Sequence, residues 1–108
     1  MPAEESWEKP FRDALEAVRG GDFDQVRNAL DAIGFKLVQT TDANHWGYYH
    51  PRLKGDPHFG YPRNLYRAHG SRRSSDRISR HDQSQARQAI DALRALVAAT
   101  REEGGGDQ

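Results

Sequence analysis

Five histidines, His45, His50, His58, His69 and His81, fall within 37 positions of a 108-residue chain. With an ordinary pKa of about 6.5, a histidine can take or give a proton near neutrality. That is the chemistry of general acid–base catalysis, in which one group takes a proton from the attacking atom and another gives one to the leaving atom. His45 is the best placed for catalysis, following a run of turn residues (41–44) at the head of an expected strand. His50 stands before Pro51 and reads as a strand terminator or cap. His69, beside Gly70-Ser71, can help a basic turn hold phosphate, and His58 lies in a proline-rich loop exposed to solvent. The spacing lacks the His-x-His and His-Glu-x-x-His patterns that put two ligands on one ion, and carboxylates are sparse nearby, so no metal or other cofactor is expected.

The strongest electrostatic signal is Arg72-Arg73 with Arg77 and Arg80. Arginine grips phosphate through paired N–H donors, and Ser71 adds a hydroxyl, so this turn is equipped to hold an RNA backbone. An acidic protein partner would use the same charges. Among the aromatics, most complete a core, whereas Tyr49 shares a strand face with His45 and is the candidate for stacking on a base.

The segment from Gly34 to His81 holds all five histidines, all four tyrosines and nine of the sixteen Lys/Arg against three aspartates, a balance of +6. The chain is neutral, so the remainder totals −6. A basic, aromatic middle between acidic ends suggests a surface that faces nucleic acid. Apolar residues make up 35% and charged ones 30%, which predicts a single domain with a small core. Without cysteine, disulfides and thiolate zinc sites are excluded. The acidic N-terminus lacks the apolar run of a signal peptide, and the expectation is a soluble, cytoplasmic protein.

Two short amphipathic helices are predicted first. Pro10 opens one that carries Phe11, Ala14, Leu15 and Val18 and ends at Gly20-Gly21. Asp22 and Gln25 form a capping box for a second, carrying Phe23, Val26, Ala29, Leu30 and Ile33, with Gly34 past its end. Residues 35–40 and 45–50 alternate as strands around a turn, residues 51–62 form a loop, and residues 64–69 and 77–81 read as two more strands. Asp82 is the expected N-cap of the closing helix, which carries Ala86, Ala89, Ile90, Leu93 and Val97. Residues 1–8 are expected to be flexible, 9–101 to form one α+β domain, and 102–108 to be a disordered tail. Such an order makes an α+β sandwich of three or four antiparallel strands, with helices on one sheet face.

The residues from Val26 to Leu96 resemble the HicA-type toxins, small RNA-cleaving members of bacterial toxin–antitoxin pairs. The likeness rests on a helix running into Gly34-Phe35-x-Leu37-Val38, a histidine at the head of the second strand, an aromatic before His50-Pro51, and a basic residue with His81 before the last helix. It implies an α-β-β-β-α domain related to double-stranded-RNA-binding domains, here with an extra N-terminal helix. It also implies metal-free ribonuclease activity with His45 catalytic and His81 at the site, and an antitoxin protein as partner beside RNA. The family has Gly-Ser-His where this chain has Ala43-Asn44-His45, and a proline where it has Ser79. The alternative reading is a non-catalytic RNA-binding or protein-interaction module on the same fold.

Overall fold

The computed structural model describes residues 7–40, 44–67 and 77–105, with side chains to Arg101. Helices α1 (Lys9–Gly20) and α2 (Phe23–Ala32) lead into strands β1 (Lys36–Gln39), β2 (His45–Tyr49) and β3 (Arg63–Tyr66), and helix α3 (Arg80–Gly105) closes the chain. The strands form one antiparallel sheet in the order β1-β2-β3, with a 3-10 turn at Pro51–Leu53 between β2 and β3. The protein is therefore a small α+β fold in the order helix, helix, strands, helix.

The ends of the first two helices follow from single residues. Gly21, at φ +77°, donates to the carbonyls of Ala17 and Val18 and closes α1. Asp22 then caps α2 by accepting from the Gln25 N–H at 3.0 Å. At the far end Phe35 N–H reaches Leu30 O and Gly34 N–H reaches Asp31 O, both at 3.0 Å, the paired bonds of a Schellman motif. Gly34 sits at φ +98°, a conformation that a side chain strains to adopt.

Burial follows the two periodicities. Phe11, Ala14 and Val18 of α1, Phe23, Val26 and Leu30 of α2, and Ala86, Ala89, Ile90 and Leu93 of α3 form the core with Phe35, Tyr48, Leu53, Leu65 and Ile78. Helix α1 packs on α2 and α3, α2 on β1, and α3 on β3 and the 3-10 turn. Register answers which side of β2 meets them. Tyr48 pairs with Leu37 and Arg63, and Trp46 with Gln39 and Leu65; Tyr48 is buried, its ring edge-on to Phe35 at 5.7 Å, and Trp46 lies against Phe23 at 6.1 Å. His45, Gly47 and Tyr49 consequently share the opposite, open face.

Two expected strands change. β3 begins at Arg63 and ends at Tyr66, and residues 68–76 lie outside the described residues. The strand expected over 77–81 is a single bridge between Arg77 and Asp22 followed directly by helix. Its cause is Ser79, whose hydroxyl accepts from the Asp82 N–H at 3.0 Å while its carbonyl takes the Gln83 N–H at 2.9 Å. Ser79 thus caps α3, in place of the expected Asp82. Asp82 is buried instead and accepts from the Tyr66 N–H at 3.0 Å, tying the start of α3 to β3. At its other end α3 runs to Gly105, past the expected end at Arg101. Glu8 is bonded to Arg94 at 3.0 Å and Trp7 lies edge-on to Phe11, so both residues, expected to be flexible, pack onto the domain.

Gly34 and Tyr48 give opposite expectations for small substitutions. A Cβ at Gly34 would lie 2.7 Å from His50 Nε2 and on a backbone of positive φ, so Gly34→Ala should cost about 2 kcal/mol or more, read from urea unfolding. The Tyr48 hydroxyl is buried without a hydrogen-bond partner among the described residues, and burial raises its pKa. Tyr48→Phe should leave stability unchanged or raise it by about 1 kcal/mol in the same assay.

Candidate functional site on the open sheet face

The open face is built by cross-strand pairing. On β2 it carries His45, Gly47 and Tyr49; opposite them stand Lys36 and Val38 on β1, and Asn64 and Tyr66 on β3. Val38 is 55% exposed, and Tyr49 and Tyr66 are each 39% exposed. An exposed valine with two exposed tyrosines on one small sheet makes an apolar, aromatic surface that water does not favour. Pro62 lies beside Gly47, its Cβ 3.7 Å from where a Gly47 Cβ would stand.

His45 is exposed at the start of β2, directly across from Tyr66, with ring centroids 4.4 Å apart. Its backbone carbonyl accepts from both the N–H and the hydroxyl of Thr40 at 3.0 Å, which holds the end of β2 against the end of β1. The Arg67 N–H donates to Asn44 O at 2.8 Å and secures the other side. The histidine is thus an accessible imidazole on a well-anchored strand end, beside a phenol. Tyr49 stands about 14 Å further along β2, from four residues of strand rise, and lies across from Lys36.

The other residues expected at the site separate from it. Arg77 donates to the Gly20 carbonyl at 2.9 Å, completing the end of α1. Arg80 lies on the first turn of α3 beside Leu15, Val18 and Arg19 of α1. His81 is exposed on the first turn of α3. Ser71, Arg72, Arg73 and His69 lie outside the described residues. The structure therefore puts His45 and Tyr49 on one face, ties Arg77 to the end of α1 and sets Arg80 in the groove beside α1. Lys36, Asn64 and Tyr66 join the open face instead. The alternation Asn64-Leu65-Tyr66 carries their signal, but only the pairing register aligns it with His45.

His50 is structural. It is buried, its Nε2 donates to Ile33 O at 3.0 Å, its Nδ1 accepts from the Arg52 N–H at 3.1 Å, and its ring stands edge-on to Phe35 at 5.0 Å. Those two bonds fix the neutral tautomer with the proton on Nε2. Burial lowers its pKa below the usual histidine value, with the Ile33 carbonyl opposing and Arg52 and Lys36 reinforcing the fall. His58 is exposed; its N–H and that of Phe59 both donate to Asp56 Oδ1, at 2.7 and 2.9 Å, and these bonds lower the Asp56 pKa.

Among the described residues, no group of three His, Asp or Glu side chains is placed to hold a metal, and no helix is long and apolar enough to cross a membrane. Comparison of the chain with protein-family models, curated proteins and solved structures finds no match.

The His50 linkage sets a pH dependence. Above about pH 6.5 the residue is neutral folded and unfolded; below it the unfolded chain binds a proton that the folded chain resists, so stability falls as the pH drops towards the lowered folded value. Melting temperature should therefore fall between about pH 7.5 and pH 5. It should fall less in His50→Gln, and an equal fall in both would remove His50 as the cause.

Proposed function

We propose that this chain is an RNA-binding α+β domain of the HicA-like kind that cleaves RNA without a metal ion, with His45 as the general acid or base and an antitoxin protein as the partner that covers the open face. The observation that carries the reading is the placement of His45 and Tyr49 on one solvent-facing side of β2, beside Tyr66 and Lys36. In such a reaction the His45 imidazole takes the 2′-hydroxyl proton, the freed oxygen attacks the neighbouring phosphorus, and the 5′ oxygen leaves with a proton, giving a cyclic phosphate and a 5′-hydroxyl end. Tyr49 and Tyr66 offer ring faces for unpaired bases, and Lys36 offers a cation for the backbone. Such an activity belongs in the cytoplasm, where RNA is available to it.

The second reading is a non-catalytic module on the same face. It is favoured by the positions of Arg77, which donates to the Gly20 carbonyl, and of Arg80, which lies beside α1; Lys36 is the cation that pairing places on the described part of the face.

Purified protein incubated with mixed RNA in EDTA distinguishes the two. Cleavage that disappears in His45→Ala, with circular dichroism unchanged, is the expected result. Tyr49→Ala should weaken RNA binding about tenfold, the share of one stacked base. Binding without cleavage supports the module, and the absence of both sinks the RNA reading altogether.

A further inference from the structure

On the helical side of the molecule a groove of about 470 Å³ runs between α1 and α3, lined by Leu15, Val18 and Arg19 from α1 and by Arg80, Gln83, Ser84, Arg87 and Asp91 from α3. Its size falls in the range of small-ligand sites, about 300–1,000 Å³. The residues from α3 recur at helical spacing, so they share one side of that helix over about 16 Å. The floor is apolar, and the polar groups around it are dominated by three guanidinium groups.

Those three arginines are unneutralised. The guanidinium groups of Arg19, Arg80 and Arg87 make no ion pair or hydrogen bond with any described residue, whereas Lys9, Arg27 and Arg94 all find carboxylates. Asp91 is one turn beyond Arg87 yet forms no ion pair with it. Asp82, the acidic residue in the first turn of α3, is committed to the Tyr66 N–H on the sheet side and does nothing for Arg80. Three like charges beside apolar surface repel one another, and a multivalent anion relieves that repulsion.

The groove is also held in shape. Gln83 Nε2 donates to Val18 O at 2.9 Å and to Arg19 O at 3.3 Å, and the Arg77 guanidinium takes Gly20 O. These bonds consume the last carbonyls of α1 and lock its end against the start of α3. Arg19 and Arg80 are thereby presented from two elements whose relative position is set by direct hydrogen bonds.

We propose that this groove binds an organic phosphate, an ester whose apolar or planar body lies over Leu15 and Val18 while its phosphate meets Arg19, Arg80 and Arg87. A phosphate suits guanidinium forks because it accepts paired N–H bonds and carries up to two charges. Inorganic phosphate would leave most of the groove and its apolar floor uncovered. The same ester chemistry is available from a free nucleotide or from the 5′-phosphate end of an RNA. This site does not rest on the activity proposed for the sheet face.

Titration calorimetry of the full chain tests it with AMP, adenosine and inorganic phosphate as probes. AMP should bind saturably and more tightly than either part. The double substitution Arg80→Gln with Arg87→Gln should weaken it about tenfold or more, with circular dichroism unchanged. His45→Ala, on the open sheet face, should leave AMP affinity as it was. Displacement of AMP by a 5′-phosphorylated oligonucleotide but not by its 5′-hydroxyl form assigns the RNA end as the source; displacement by neither assigns a free ester. The proposal is overturned if AMP does not bind at millimolar concentration, if adenosine or phosphate binds as well as AMP, if the arginine substitutions have no effect, or if His45→Ala weakens AMP equally.

Discussion

The His50 imidazole joins the three parts of the chain that must meet for the sheet to seat on its helices. Through Nε2 it holds the Ile33 carbonyl at the end of α2, and through Nδ1 it holds the Arg52 N–H that opens the 3-10 turn. Its own backbone ends β2, and its ring packs on Phe35 where β1 begins. The arrangement works only because Gly34 has no side chain, since Nε2 stands 2.7 Å from where a Cβ would be. One buried, fully hydrogen-bonded ring thus sets the angle between α2 and β1 and the height at which β2 enters the core. It also explains why a histidine, rather than an apolar residue, occupies the position: a backbone donor and a backbone acceptor both need a partner there.

That constraint orients the sheet. With His50 turned inward, period-two alternation takes Tyr48 and Trp46 to the same side and leaves Tyr49, Gly47 and His45 outside. The inward His50 and the outward His45 are therefore coupled: a slip of one residue would bury the candidate acid–base group and expose the structural one. The second tie, Asp82 to the Tyr66 N–H, performs the corresponding task at the opposite side of the sheet by pinning α3 to β3. Guanidinium groups lie over rings of the same core, that of Arg27 over Phe23 and Trp46 and that of Arg67 over Phe23.

The two sides of the molecule differ in chemistry. The open sheet face presents rings, one histidine and one lysine, a surface suited to flat groups. The helical side presents three unpaired guanidinium groups over leucine and valine, a surface suited to an anion with an apolar body. Among the described residues the positive charge counted along the middle of the chain is not gathered on one surface, because Arg77 bonds the end of α1 and Arg80 lines the groove beside it while Lys36 stays on the sheet.

Local patterns in the sequence determined the element order, the cap at Asp22, the glycines that end α1 and follow α2, and the division of β2 into two faces. Each depends on residues a few positions apart, whose steric and hydrogen-bonding preferences act whatever the rest of the chain does. Which face of β2 meets the core was decided by pairing with β1 and β3 and by packing under Phe35 and Phe23, contacts between residues distant in sequence. The start of α3 was decided the same way. Ser79 and Asp82 are both good caps by type, and the claim of Tyr66 on Asp82 leaves the cap to Ser79. Arg77 and Arg80 show the limit most plainly: composition marks them as phosphate-gripping, yet the free carbonyl at the end of α1 and the groove beside it are surfaces that exist only once the helices have packed.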